Sequence, residues 1–419
     1  MKHWLYLMLV FLLTPIANAV KAQTSAPITL EQVIINTMEH NPQFGINDYE
    51  TRAAAARIRQ AQQSKPYELR LGLENFAGSG NNKGLDQLET TFSLAKILES
   101  GEVISSRSEL ANREATLLRN EQDSKRLDIL AESTNRFIHV VIDQHRLNIA
   151  REKLELARHT HDIVTQRVHT GRSHSAEARH TAIALSRAEI ELEHAEHELS
   201  TTRLKLTVSW GETTPQFSIA EANLFLLPQT DSFERLAKLL ENNPELVRFA
   251  TEERVTQARM RLAQSRRTPN LELSGGIRYF NAPNDSALVF SVGIPFGTGS
   301  RAQPEIDEMN YLGQREPLRY EQARLTLYSS LYEIYQELLH SRTAFEALSQ
   351  HIIPQAEQAA KDYEQGYKDG RFSLLELNDA QKSLLDARLE KIMTAANHHR
   401  FRIEIERLTG AYLRPGEQP

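Results

Sequence analysis

No glycine or proline interrupts residues 102–170. Both residue types weaken or break helix interiors, so 69 consecutive positions without them read as one helix of about 100 Å at 1.5 Å per residue. No compact globule holds such a rod. Residues 172–210 add 39 more without a breaker. In the first run Ile142, Ile149, Leu156 and Ile163 recur every seven residues. Val140, Leu147, Leu154 and Val168 do the same, with His161 filling one slot. The two stripes lie about 140° apart around the helix. One stripe would make a coiled-coil seam. Two stripes predict neighbours on both sides, as in the wall of a cylinder; a solvated two-stranded rod is the alternative. Charged residues at 25 % and aromatics at 7 % suit rods better than a thick enzyme core.

The chain is written twice. TLEQVIINTMEHNPQF (29–44) parallels DSFERLAKLLENNPELVRF (231–249), with capping pairs expected at Thr29/Gln32 and Asp231/Glu234. Asn-Pro recurs at Pro42 and Pro244, a second proline at Pro66 and Pro269, and a glycine at Gly171 and Gly370. The copies end at Trp210-Gly211 and Thr409-Gly410. The offsets run from 199 to 203, which marks a tandem duplication. The second copy departs at Pro304, Pro317 and Pro354, which predict a bend near Pro317 and a short break at Pro354.

Each copy also carries two alternating segments. YELRLGLENF (67–76) puts Tyr67, Leu69, Leu71 and Leu73 on one face, and LETTFSLAKI does so with Leu88, Thr90, Phe92 and Leu94. NLELSGGIRYF aligns Leu271, Leu273, Ile277 and Tyr279; ALVFSVGIPF aligns Leu288, Phe290, Val292, Ile294 and Phe296. This is the two-residue period of a strand, over roughly ten residues, the length of a tilted membrane-spanning strand. Apolar-out, polar-in alternation marks a transmembrane barrel; hairpins lying on a soluble helical core are the alternative. Four strands cannot close a barrel, for which about eight is the minimum, and open edges in lipid leave backbone groups unpaired. Strands in a membrane therefore predict an oligomer sharing one barrel.

The N-terminus reads as an export signal: Lys2 and His3, then WLYLMLVFLL, then Ala17-Asn18-Ala19, with cleavage after Ala19 or Ala22. The chain has no cysteine, hence no disulfide and no lipidated cysteine. No later apolar run is long enough for a transmembrane helix. The net charge of -6 implies no nucleic-acid partner. There is no nucleophile elbow, phosphate loop or zinc signature, so no catalytic residue and no cofactor is expected. His159, His161, His169, His174 and His180 crowd one region, and His194 and His197 share a face. None has the three or four converging ligands of a metal site.

IIPQAEQAAKDYEQGYKDGRFSLLELNDAQKSLLDAR (352–388) closely resembles the second-copy signature of the TolC family of outer membrane efflux proteins, nearest its CzcC-like branch. The resemblance extends over the opening ITLEQVIINTMEHNP, both strand pairs and both glycine-containing motifs, almost the whole chain after the signal. It implies a mainly α fold with a transmembrane β part: a homotrimer whose twelve strands close a barrel in outer membrane lipid, above a periplasmic tunnel of long helices. It also implies a mixed belt around the tunnel, a periplasmic adaptor and an inner-membrane RND-type pump that supplies the energy. Such a duct performs no reaction. The family motif of Gly followed by a Thr-Asp-Val-Leu-Asp-Ala-like run stands here at 370–380, and by that match Glu376 and Asp379 would line the closed tunnel end. The first-copy tip departs from the family's Thr-Asp with Ala176-Glu177, so Glu177 is carried over there by position and not by motif. The adaptor docks at these tips, making Gly171, Arg172, Gly370 and Arg371 contact candidates. The bland reading is helix caps, solvated arginines and acids placed at a helix start.

On this reading the chain divides into a signal peptide (1–22), a helical repeat start (23–66) and a first barrel hairpin (67–99). Tunnel helices with an equatorial segment (100–230) follow, then the second helical start (231–268) and second hairpin (269–300). Tunnel helices (301–404) and a C-terminal tail (405–419) complete it. Divalent metal cations are the cargo toward which the resemblance leans. A duct for type I protein secretion and a soluble periplasmic coiled-coil adaptor or scaffold are the rival functions.

Overall fold

The computed structural model describes residues 26–410, so the expected signal peptide at 1–22 and the residues after 410 lie outside them. The first copy opens with α1 (Leu30–His40) and α2 (Pro42–Ala61), then β1 (Tyr67–Glu74) and β2 (Glu89–Leu98). The rod α3 follows as one unbroken helix, Gly101–His169, and α4 (Ser175–Thr207) returns antiparallel to it. The second copy repeats the order with α5 (Phe233–Leu239), α6 (Pro244–Ser265), β3 (Leu271–Phe280) and β4 (Asp285–Gly293). It ends with α7 (Thr298–Ala347), α8 (Ile353–Lys368) and α9 (Leu374–Leu408). The last helix runs on past residue 404, where the tail was expected to begin.

The duplication is visible at the hydrogen-bond level. Asn41 and Asn243 each cap the helix that their following proline opens, the side-chain oxygen accepting from Gln43 N at 2.9 Å and from Glu245 N at 2.8 Å. The amide of each donates to the end of its own copy, Asn41 to Ser209 O and Asn243 to Leu408 O. The Thr29/Gln32 capping box forms. Its expected counterpart does not: α5 starts one residue later, after Ser232, and Asp231 instead pairs with Arg235 at 3.3 Å. The break expected at Pro354 is also absent. Residues Leu348–Ile352 form a π turn that runs straight into α8, so the chain stays helical through Pro354, and the widened turn just before it accommodates the missing N–H and the ring. Pro304 and Pro317 lie inside α7, which continues through both.

The helices make a wall rather than a globule. In the barrel-proximal half α2, α3, α6 and α7 pack side by side in that order; in the distal half the order is α4, α3, α9, α8. The rod α3 thus has neighbours on both sides. Lys153 pairs with Glu191 on α4, while Thr160 meets Gln381 on α9. Of the two stripes, Val140, Leu147 and Leu154 of one and Ile142 of the other are buried. Where the halves meet, a belt core forms from Val33, Phe137, Val141, Leu206, Trp210 and Leu224, closed by Ala395 and Ile403 of α9. A second cluster, with Leu246, Phe249, Leu331, Leu338 and Ile405, holds α5, α6, α7 and α9 together.

The wall has free edges at α2 and α7 above and at α4 and α8 below, and apolar side chains are exposed there. Ile183, Ile190 and Leu204 recur along α4; Tyr311, Leu318, Leu325, Tyr332 and Leu339 recur every seven residues along α7. No helix among the described residues is long and apolar enough to cross a membrane.

Candidate functional site

The sheet is antiparallel in the order β1-β2-β3-β4. Its register lines up Leu71, Phe92, Ile277 and Leu288 across all four strands, and Leu69, Leu94, Gly275 and Phe290 in the next row of that face. These side chains are open: Leu69 is 77 % exposed, Leu288 72 % and Phe290 79 %. An apolar face of this extent marks contact with lipid or another protein. Aromatic residues flank the strands at both ends, Tyr67 and Phe296 on the helix side and Phe76 and Tyr279 on the loop side, as interfacial aromatics do.

The opposite face is charged and self-paired. Arg70 on β1 reaches Glu272 on β3 at 2.6 Å and Glu68 at 2.8 Å; Arg278 on β3 reaches Glu89 at 2.9 Å and Glu74 on β1 at 3.1 Å. Each arginine spans β2 over a small residue, Ser93 or Thr91, stapling the two hairpins into one sheet. Gly276 belongs to this face. A Cβ there would stand 2.2 Å from Phe92 O, so the backbones approach as only glycine allows.

At the far end of the rods the two tips are copies of one turn. Gly171 and Gly370 have φ of 71° and 79°. Arg172 N donates to Arg167 O and Arg371 N to Gly366 O, while Gly171 N and Gly370 N donate to Val168 O and Tyr367 O. This paired pattern is the Schellman cap, which needs the left-handed glycine. Arg172 and Arg371 are exposed. Arg371 pairs with Asp369 at 2.9 Å.

The acidic candidates differ in what they do. Glu376 completes a capping box, its Oε2 accepting from Ser373 N and Ser373 Oγ, both at 2.8 Å. Those bonds, the backbone one first, hold its carboxyl below the usual range. Asp379 stands one turn further along α9, exposed. Glu177 is half-buried and accepts the hydroxyl of Tyr367 at 2.8 Å. Burial foremost pushes that phenol up, so it remains a donor at neutral pH.

Sequence reasoning missed the residues that join the tips. Arg167, in the last turn of α3, donates to Tyr367 O at 2.6 Å and Lys368 O at 2.9 Å and to Ser173 Oγ at 3.1 Å. Its guanidinium lies 4.7 Å from the centre of the Tyr367 ring. A cation on the open carbonyls of a helix end is favourable. Beneath, Val164, Tyr367, Leu374 and Leu377 form a small buried core. Phe372 lies over Gly366 and meets the Tyr363 ring in a tilted contact, with ring centres 4.6 Å apart. Gly366 was the available signal: a glycine inside a helix weakens it and has a packing reason when present.

The tip histidines serve as hydrogen-bonding groups. His159 meets Glu364 at 3.1 Å, His161 meets Thr181 at 2.9 Å, and His174 caps α4. Among the described residues no three His, Asp or Glu side chains cluster to hold a metal ion.

A helical wall that ends in a four-stranded sheet with a lipid-facing side defines a class: the chain belongs to the outer membrane efflux protein family, whose model matches residues 33–212 and 236–411. It is an outer membrane exit duct with its helices on the periplasmic side. The cobalt-zinc-cadmium resistance protein CzcC of Cupriavidus metallidurans is 27 % identical over 388 residues, 93 % of this chain and 91 % of that protein. The fold matches solved channels: CusC at TM-score 0.74 and 15 % identity, covering 91 % of each chain. The open-state MtrE outer membrane channel of Neisseria gonorrhoeae matches at 0.73 and 15 %, covering 93 % of this chain and 91 % of that one.

Proposed function

We propose that three copies of this chain close into a twelve-stranded barrel and a continuous periplasmic tunnel, and that the duct passes divalent metal cations outward. The observation that carries the assembly is the pair of unpaired sheet edges, β1 and β4, on a sheet whose apolar face is open. Edge backbone groups in lipid cost several kcal/mol each, so partners must pair them. The exposed stripes on α4 and α7 fit the same closure, since they lie on edge helices. Supporting the cargo is the name of the cobalt-zinc-cadmium resistance relative.

In this reading the periplasmic tip is the gate. Arg167, Tyr367 and Glu177 latch the two tips of one chain together. Glu376 and Asp379 of three chains bring six carboxylates to the constriction, where they repel one another and attract cations. A periplasmic adaptor docks on the tip turns through Gly171, Arg172, Gly370 and Arg371 and couples them to an inner-membrane RND-type pump. The test has two arms. An unboiled gel of the outer membrane fraction should show a detergent-resistant trimer, and deleting the gene should sensitise cells to zinc, cobalt or cadmium. A monomer would refute the assembly, and unchanged metal tolerance in cells lacking any second such duct would refute the cargo.

A further inference from the structure

We propose that the elbow between α2 and β1 is a binding site for the phosphate-bearing headgroup of an anionic phospholipid in the periplasmic leaflet of the outer membrane. A recess of about 440 Å³ opens there in the groove between the end of α2 and the start of α3. Arg57, Ser64, Lys65 and Arg107 contribute its polar wall. Two of the three cations carry no ion pair of their own. Arg107 pairs with Glu99 at 3.0 Å and donates to the Ala61 and Gln63 carbonyls, closing the end of α2. Glu114, the recess carboxylate, is paired with Arg259 at 3.0 Å. Arg57 and Lys65 are exposed and make no salt bridge among the described residues, although the Glu99 carboxylate that pairs with Arg107 also feels the charge and backbone of Lys65. Three cations, Arg57, Lys65 and Arg107, stand against two carboxylates, Glu99 and Glu114, so the recess keeps a net positive charge.

Its position selects the anion's source. Tyr67, two residues after Lys65, opens the lipid-facing row of β1, and Leu69 and Leu71 continue that face upward. Lys96 ties recess and lipid face together. Its ammonium sits 4.3 Å from the centre of the Tyr67 ring and donates to Lys65 O at 2.5 Å and Ser64 Oγ at 3.3 Å. A lysine stem that lies on the apolar face while its head reaches polar groups marks the edge of the hydrocarbon. The headgroup layer is about 5–8 Å deep on each side of that core. Lys65 falls in this layer and Arg57 lies within roughly two helical turns of it. Acyl chains would run along Tyr67, Leu69 and Leu71 while the phosphodiester meets Arg57 and Lys65. Basic pockets at a membrane boundary recognise phosphate headgroups by this charge pairing.

The test is native mass spectrometry of the purified full-length protein, titrated with phosphatidylglycerol, phosphatidylcholine or inorganic phosphate. Wild type should retain phosphatidylglycerol adducts at least tenfold more strongly than phosphatidylcholine. The Arg57→Gln/Lys65→Gln double variant should lose that preference, while Arg179→Gln, far away on α4, keeps it. Arg57→Gln alone, an exposed helix position, should give an intermediate loss and guards against misfolding of the double variant. Undiminished preference in both variants would overturn the proposal. Inorganic phosphate displacing the lipid at equal concentration would overturn it too, making the recess a free-anion site.

Discussion

Replacing Tyr367 with phenylalanine removes one atom from the tip and leaves the ring, the Arg167 contact and the small core in place. The main bond lost is the 2.8 Å donation to the Glu177 carboxylate, with a long 3.5 Å contact to Ser173 Oγ going too. A hydrogen bond to a charged acceptor contributes about 1.5–3 kcal/mol, and half-buried Glu177 argues for the lower end. If three tips of the proposed trimer open together, the closed state loses about 4.5 kcal/mol. At about 1.4 kcal/mol per factor of ten, the closed-to-open ratio falls roughly a thousandfold. The assay is planar-bilayer recording of purified protein at neutral pH. Wild type should be mostly closed and Tyr367→Phe should conduct for most of the record. Glu177→Gln should act in the same direction. The double variant should add little, because both changes break one contact. Full additivity, or a Tyr367→Phe channel as closed as wild type, would refute the latch.

Gly366→Ala should expel Phe372 from the tip, since the new Cβ would stand 2.2 Å from its ring; faster limited proteolysis between 366 and 374 is the expected sign, and unchanged cleavage would count against it. Gly276→Ala should abolish the detergent-resistant oligomer because its Cβ meets backbone, whereas Gly293→Ala, whose nearest neighbour is 3.5 Å away, should be tolerated on the same unboiled gel. Burial foremost holds His398, His399, His139 and His145 below the ordinary histidine range. The unfolded chain therefore binds these protons first, so stability is full above about pH 6.5 and falls as pH drops below it, by at most about 1.4 kcal/mol per unit per histidine. Melting between pH 5 and 8 should show that slope, and His398→Leu should flatten it; an unaltered slope would remove His398 from the account.

Much of the architecture was legible because it rests on periodicity. The absence of breakers over 102–170 corresponds to α3, and two-residue alternation corresponds to the four strands, since both patterns are written in consecutive residues. The duplication located Asn41 and Asn243 as equivalent turns. What the sequence hid was long-range. The latch joins Arg167 to a tyrosine 200 positions away through backbone carbonyls, which carry no residue signature. Arg70 and Glu272 likewise meet only because the register places β1 and β3 on either side of β2. Pro354 misled because a proline reads as a helix stop, whereas here the π turn just before it lets the helix continue past the missing N–H.

The π turn at Leu348–Ile352 has a geometric consequence for the whole strut. Counting in sevens along α7, Leu339 belongs to the outward row; four heptads further, the same row arrives at Tyr367, which is only 3 % exposed. A straight α-helix drifts about 20° per heptad, and a π turn takes up an extra residue, so everything below is re-indexed against everything above. One continuous polypeptide thereby shows its outward side near the membrane and hides that side at the opposite end. Deleting a single residue from the turn would rotate Tyr367 out of its socket without touching any atom of the tip itself.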